Sequence, residues 1–247
     1  MKKIKFYKAL LPLAIAGTLS LTGCSEEMGS DVSQYDVLST NEDTDNVLSG
    51  VDQVLDVRGE EFKLKVNYSS GEKEWRISSD KELNMDICTV GLPSNVSVYI
   101  DNIHTDTSIV STQAHFDGIK QDSMDDRIHN SQMIGFPISD SVHYYGINEI
   151  EGENDEFISG FTYGYNGNSA GAIAERRRLE SDFLRQGVWA NKIDSVIDLI
   201  VVDNNKNEVR TVSVSSSLLV EVNNKITLKD GTVHEYDRNG EFRSISK

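Results

Sequence analysis

Apolar and polar residues alternate over several short stretches, turn residues separate those stretches at roughly ten-residue intervals, and one stretch alone carries a convincing helical period. These observations predict a mainly β chain, folded over residues 51–222 as an immunoglobulin-like or related antiparallel β-sandwich.

From Val51 onward the period is two. Phe62, Leu64, Val66 and Tyr68 alternate with charged or polar neighbours, as a half-buried strand does. Ser70-Gly71 turns the chain, Trp75 and Ile77 carry the pattern on, and Leu83, Met85 and Ile87 make another strand. Pro93-Ser94-Asn95 ends it before Val96, Val98 and Ile100. Residues 113–154 break the rhythm, with Asp117-Gly118, Met124-Asp125-Asp126 and Phe136-Pro137 in no sustained period, and they predict a long loop excursion of the kind that carries function. Phe161, Tyr163 and Tyr165 alternate within 157–165 and read as a strand. A short helical insertion is expected at 170–187: Ile173, Leu179, Phe183 and Leu184 fall near one face, and Gly187 is placed to end it. Ile193 to Val202 reads as a central strand, with Asp194 and Asp198 its awkward members. Val209–Val214, Leu218–Val222 and Ile226–Leu228 follow. Asp230-Gly231 and Asn239-Gly240 read as tight hairpin turns, so residues 223–247 are expected as a C-terminal β-hairpin extension, a small meander.

Composition narrows the function classes. The 247 residues hold 24 Lys and Arg against 40 Asp and Glu, a net charge of −16. Such a polyanion is repelled by phosphate backbones, so no nucleic-acid partner is expected. Cys24 and Cys88 are the two cysteines. Cys88 lies in an alternating stretch, where a small buried hydrophobe or a strand-end thiol is expected.

The N-terminus carries the sharpest motif. Lys2, Lys3, Lys5 and Lys8 precede an apolar run from Leu10 to Leu21, interrupted by Pro12 and Gly17. About a dozen helical residues span roughly 18 Å, short of the roughly 30 Å of a bilayer core. The run ends at Leu21-Thr22-Gly23-Cys24. This resembles the bacterial lipoprotein signal and its lipobox: Leu, a small residue, Gly or Ala, then Cys. The resemblance covers the first 24 residues and rests on Leu21, Gly23 and Cys24. It implies a signal peptide over 1–23, removed before Cys24, and a thioether from Cys24 to diacylglycerol, with palmitate as the metabolic label. It also implies residence on a bacterial cell membrane, facing its extracytoplasmic side. Two acyl chains hold stably where one holds reversibly. Removal of residues 1–23 takes away four Lys and no acid, leaving 20 bases against 40 acids. Residues 24–50, rich in acid, Ser, Thr and Gly, are expected as an acidic flexible tether.

Candidate chemistry gathers in the excursion and the strand before it. His104-Thr105-Asp106 and His115-Phe116-Asp117 set imidazole and carboxylate two residues apart, on one face if the chain is extended. His104, Asp106, His115 and Asp117 are therefore the candidate metal ligands, with solvated loop histidines as the plainer reading. Asp122, Asp125 and Asp126 join Asp117 in a locally acidic stretch that offers oxygen ligands to Ca²⁺, with a solvated acidic loop as the plainer reading and no cofactor expected. Arg176, Arg177 and Arg178 form the one basic cluster after the leader, available to an anionic partner or to neighbouring acids. Residues 203–214 fail as an EF-hand loop, because Glu208 stands at the sharp-turn Gly position and Val214 at the bidentate Glu position. No nucleophile elbow or Gly-rich phosphate loop occurs.

Two functions follow as expectations. One is a membrane-anchored extracytoplasmic lipoprotein, a non-enzymatic module that binds a protein or cell-envelope partner. The other is a metal-assisted hydrolase of the envelope or an extracellular polymer, using His104, Asp106, His115 and Asp117 in one site.

Overall fold

The computed structural model describes residues 36–38, 48–128, 134–166 and 180–245. The expected signal peptide, Cys24, most of the expected tether, residues 170–179 and the arginines Arg176, Arg177 and Arg178 lie outside the described residues.

In chain order the elements are β1 (Asp36–Leu38), β2 (Leu48–Asp56), β3 (Lys63–Ser70), β4 (Lys81–Val90), β5 (Val96–Ser111), β6 (Lys120–Arg127), β7 (Phe136–Ile138), β8 (Tyr144–Ile150), α1 (Asp155–Asn166), α2 (Glu180–Arg185), β9 (Val188–Asp203), β10 (Glu208–Glu221), β11 (Lys225–Thr227), β12 (Val233–Tyr236) and β13 (Phe242–Ile245). One sheet runs β1-β10-β9-β5-β6, with β7 also paired to β5; a second runs β2-β3-β4-β8; the meander β11-β12-β13 is the third. Every pairing is antiparallel except β1 on β10. The chain is thus mainly β with antiparallel sheets and two helices, an arrangement compatible with the expected immunoglobulin-like sandwich.

Alternation explains how the first two sheets share one core. Leu64, Val66 and Tyr68 of β3 and Leu83, Met85 and Ile87 of β4 turn inward. They join Val98, Ile100 and Ile103 of β5 and Ile193, Ile197, Leu199 and Val201 of β9 in a single apolar cluster. The Tyr68 hydroxyl lies 2.7 Å from Ser216 Oγ of β10, so a polar atom at the centre of that core has its partner. Burial of this apolar surface is the main stabilising term.

The structure departs from the sequence expectation at three places. Residues 113–154 are not a loop excursion: they contain β6, β7 and β8. β6 is the edge strand Lys-Gln-Asp-Ser-Met-Asp-Asp-Arg, held by backbone pairing to β5, and its hydropathy carries no apolar face to betray it. Pro137 sits within β7, which pairs with β5 alone, an edge position where a missing donor does no harm. Residues 157–165 form helix rather than strand. Asn154 Oδ1 accepts from Phe157 N at 2.8 Å, an N-cap bond, and Phe157 and Phe161 stand one turn apart on the buried side. They pack with Phe116 and Phe183, the Phe116–Phe161 rings 4.5 Å apart. Within the expected insertion 170–187, the described helix is α2, and Gly187 ends it at a φ of 67°. Part of the expected tether is strand: Asp36–Leu38 pair with Leu218–Val220, and β2 begins at Leu48.

The expected strands at 209–214 and 218–222 are one continuous β10, and the expected strand at 193–202 extends to the full sixteen residues of β9. Among the described residues no helix is long and apolar enough to cross a membrane.

Candidate functional site

β5 and β6 pair so that His104 lies opposite Asp125 and Asp106 opposite Ser123, all four on the outer face. His104 Nδ1 is 2.8 Å from Asp125 Oδ1, and Nε2 is 3.3 Å from Asp106 Oδ2. Ser123 Oγ donates to Asp106 at 2.8 Å, and Lys120 Nζ lies 2.7 Å from the same carboxylate. The bond to Asp125 and the Asp106 carboxylate raise the His104 pKa above its ordinary value. Burial works against ionisation of Asp106, but Lys120, Ser123 and His104 together hold its pKa low. Each nitrogen of His104 faces a carboxylate, so the imidazole acts here as a bridge between two acids, with no lone pair turned to an ion.

The other candidates do not join this group. Asp117 Oδ1 accepts from Ser111 N at 3.0 Å within the turn after β5, and His115 packs against the Phe116 ring at 4.2 Å. Asp122 and Asp126 fall on the inward side of β6, opposite Thr107 and Ile103. Asp122 Oδ2 accepts from Glu151 N at 2.9 Å, and the Tyr144 hydroxyl donates to Asp126. Burial, then Asp126, pushes the Tyr144 hydroxyl pKa up. The alternation of β6 thus divides Asp122 and Asp126 from Asp125, and the expected Ca²⁺ set is split between two faces. Among the described residues no group of three or more His, Cys, Asp or Glu is arranged to hold a metal ion. His104, Asp106, His115 and Asp117 make no common site there.

Sequence reasoning missed a buried polar hub at the end of the core beside α1. Trp75 Nε1 donates to Asn191 Oδ1 at 2.8 Å, and Asn191 Nδ2 donates to Gln121 Oε1 at 2.8 Å. Gln121 Nε2 in turn reaches the carbonyls of Ile77, Glu151 and Gly152 at 2.9, 3.0 and 3.2 Å. The Glu180 carboxylate, at the start of α2, accepts from Ile77 N at 2.9 Å and Ser78 N at 2.8 Å. Lys81, 3 % exposed, donates to the Ser79 carbonyl at 3.2 Å and lies 5.6 Å from the centre of the Trp75 ring. Burial pulls its pKa down to about 8, against the upward pull of Glu180, Asp80, Asp122 and Glu72. One signal was present: Lys81 shares the inward parity of Leu83, Met85 and Ile87. Beside the hub a polar cleft of about 330 Å³ opens between Lys120, Asp122, Ser123, Glu151 and Glu156.

Chemically, this is a set of positioned carboxylates, hydroxyls and amides on a rigid β scaffold, suited to recognition by hydrogen bonds and charge. No family model matches the chain, and no curated protein matches it. Among solved structures, the crystal structure of a protein from Archaeoglobus fulgidus is similar at 12 % identity, over 63 % of this chain and 93 % of its own, with a TM-score of 0.26. A likeness at that level carries no argument about either fold or function.

Proposed function

We propose that this protein is a bacterial lipoprotein, held by lipid on Cys24 at the extracytoplasmic side of the cell membrane, and that its β domain is a non-enzymatic binding module. The observation that carries the reading is Leu21-Thr22-Gly23-Cys24, closing a short apolar run behind four lysines. A diacylglyceryl thioether supplies two chains, each buried methylene contributing about 0.8 kcal/mol, and so holds the protein without help from the polypeptide. The binding role is supported by the outer face of the second sheet, where Tyr145 and Ile147 of β8 stay exposed, while His104, Asp106 and Asp125 are already engaged with one another. The partner on this reading is a protein or another component of the cell envelope.

The test is fractionation of cells fed labelled palmitate. The wild-type chain is expected in the membrane fraction carrying label, and Cys24→Ser is expected unlabelled and unprocessed or displaced. An unlabelled wild type outside the membrane fraction overturns the proposal.

A further inference from the structure

β8 closes one side of the second sheet and pairs with β4 alone. Its outward residues are Tyr145, Ile147 and Glu149, and the first two are 73 % and 56 % exposed. His143, one step before them, stacks on Tyr145 with ring centres 6.0 Å apart and bonds Asp86 at 2.8 Å. Large apolar side chains that share an exposed face in this way mark interaction surfaces more often than isolated ones do.

The charges beside the strip identify the partner. Glu82 of β4 stands directly opposite Glu149 of β8, both exposed on the same outer face. Like charges directly opposite one another destabilise a sheet, and among the described residues neither glutamate has a cation partner. Asp86, opposite Tyr145, is already paired with His143, which leaves Glu82 and Glu149 as the opposed charges of the strip. The free margin of β8 is tied to β6 by the Tyr144–Asp126 and Glu151–Asp122 bonds, which points to docking across the face rather than addition of a strand.

We infer that the outer face of β8 and β4 docks an extended protein segment that turns two apolar residues and then a Lys or Arg, at alternate positions, toward the sheet. Its apolar side chains cover Tyr145 and Ile147, and a Lys or Arg neutralises the Glu82–Glu149 pair. The inference rests on the binding-module reading and makes no use of the anchor.

The experiment titrates the full chain with two synthetic decapeptides of alternating Ser, one with Val, Val and Lys and one with Val, Val and Glu at the successive intervening positions, at about 0.15 M salt, where long-range charge is screened beyond about 8 Å. Binding of the Val–Lys peptide alone is expected. Glu149→Lys and Tyr145→Ser should each weaken it about tenfold or more, with Glu149→Lys melting no lower than wild type, since it sets a Lys opposite Glu82, and Tyr145→Ser still folded, since its side chain is exposed. Glu241→Lys makes the same charge change on the meander and should leave binding nearly untouched. No binding of the Val–Lys peptide, equal binding of both peptides, or equal weakening by Glu241→Lys overturns the inference. Failure of the palmitate experiment alone would leave it standing.

Discussion

At Lys81 a buried ammonium has the Ser79 carbonyl and the Trp75 ring as its neighbours, with Glu180, Asp80, Asp122 and Glu72 near enough to act on its charge. Its pKa of about 8 lies below the ordinary lysine value of 10.5, so between those values the unfolded chain holds a proton that the folded chain has released. Stability therefore rises with pH across that window, and below it the folded protein carries the full cost of the buried charge, about 3 kcal/mol at 1.36 kcal/mol per unit. Lys81→Met keeps the stem and removes the charge. By denaturant titration it should be more stable than wild type at pH 7, with the gap closing as the pH approaches 10.5. A gap that stays constant with pH would mean that Lys81 is solvated. At His104 the sign is opposite. Asp125 and Asp106 raise its pKa, so the contribution of the imidazolium is complete below the ordinary histidine range and fades as pH rises through the raised value. The His104–Asp106 pairing was legible from the two-residue spacing, because parity alone puts both on one face. Asp125 was not assigned to that pair, since its place opposite His104 depends on the register between β5 and β6.

Turns show how an element is specified at two levels. Asn239-Gly240 and Asp230-Gly231 both read as hairpin turns, and both glycines take a positive φ, 85° and 86°. At Gly231 a Cβ meets nothing, whereas at Gly240 it would run into the Arg185 carbonyl at the end of α2. Alanine at either position strains the backbone by about 1–3 kcal/mol. Thermal melts should show Gly240→Ala to be clearly the more destabilising, because it also pries the meander from α2. Equal losses would mean that the meander does not dock there. The same two levels explain which elements were legible. β3 and the start of β4 show a period of two because one face of each is buried. β6 is polar on both faces and shows none. Phe161, Tyr163 and Tyr165 fit a strand period, but Phe157 and Phe161 with the Asn154 cap fit a helix, and packing against Phe116 and Phe183 selects the helix.

For the whole molecule, sheet alternation assigns two kinds of outer face. The one around His104 is internally paired: Asp106 with Lys120, Asp194 with Lys192, Asp198 with Ser213 at 2.6 Å. The one around Tyr145 and Glu149 keeps apolar side chains exposed and like charges opposed. Burial cannot be the purpose of the second, and it is the face offered to a partner. On the proposed anchor, a local partner would meet such a face at high effective concentration. The account turns on that anchor, and mass spectrometry of the N-terminal peptide of protein recovered from membranes tests it most directly. The peptide should begin at Cys24 and carry the mass of a thioether-linked diacylglycerol; a peptide that begins upstream, with a free thiol at Cys24, would contradict it.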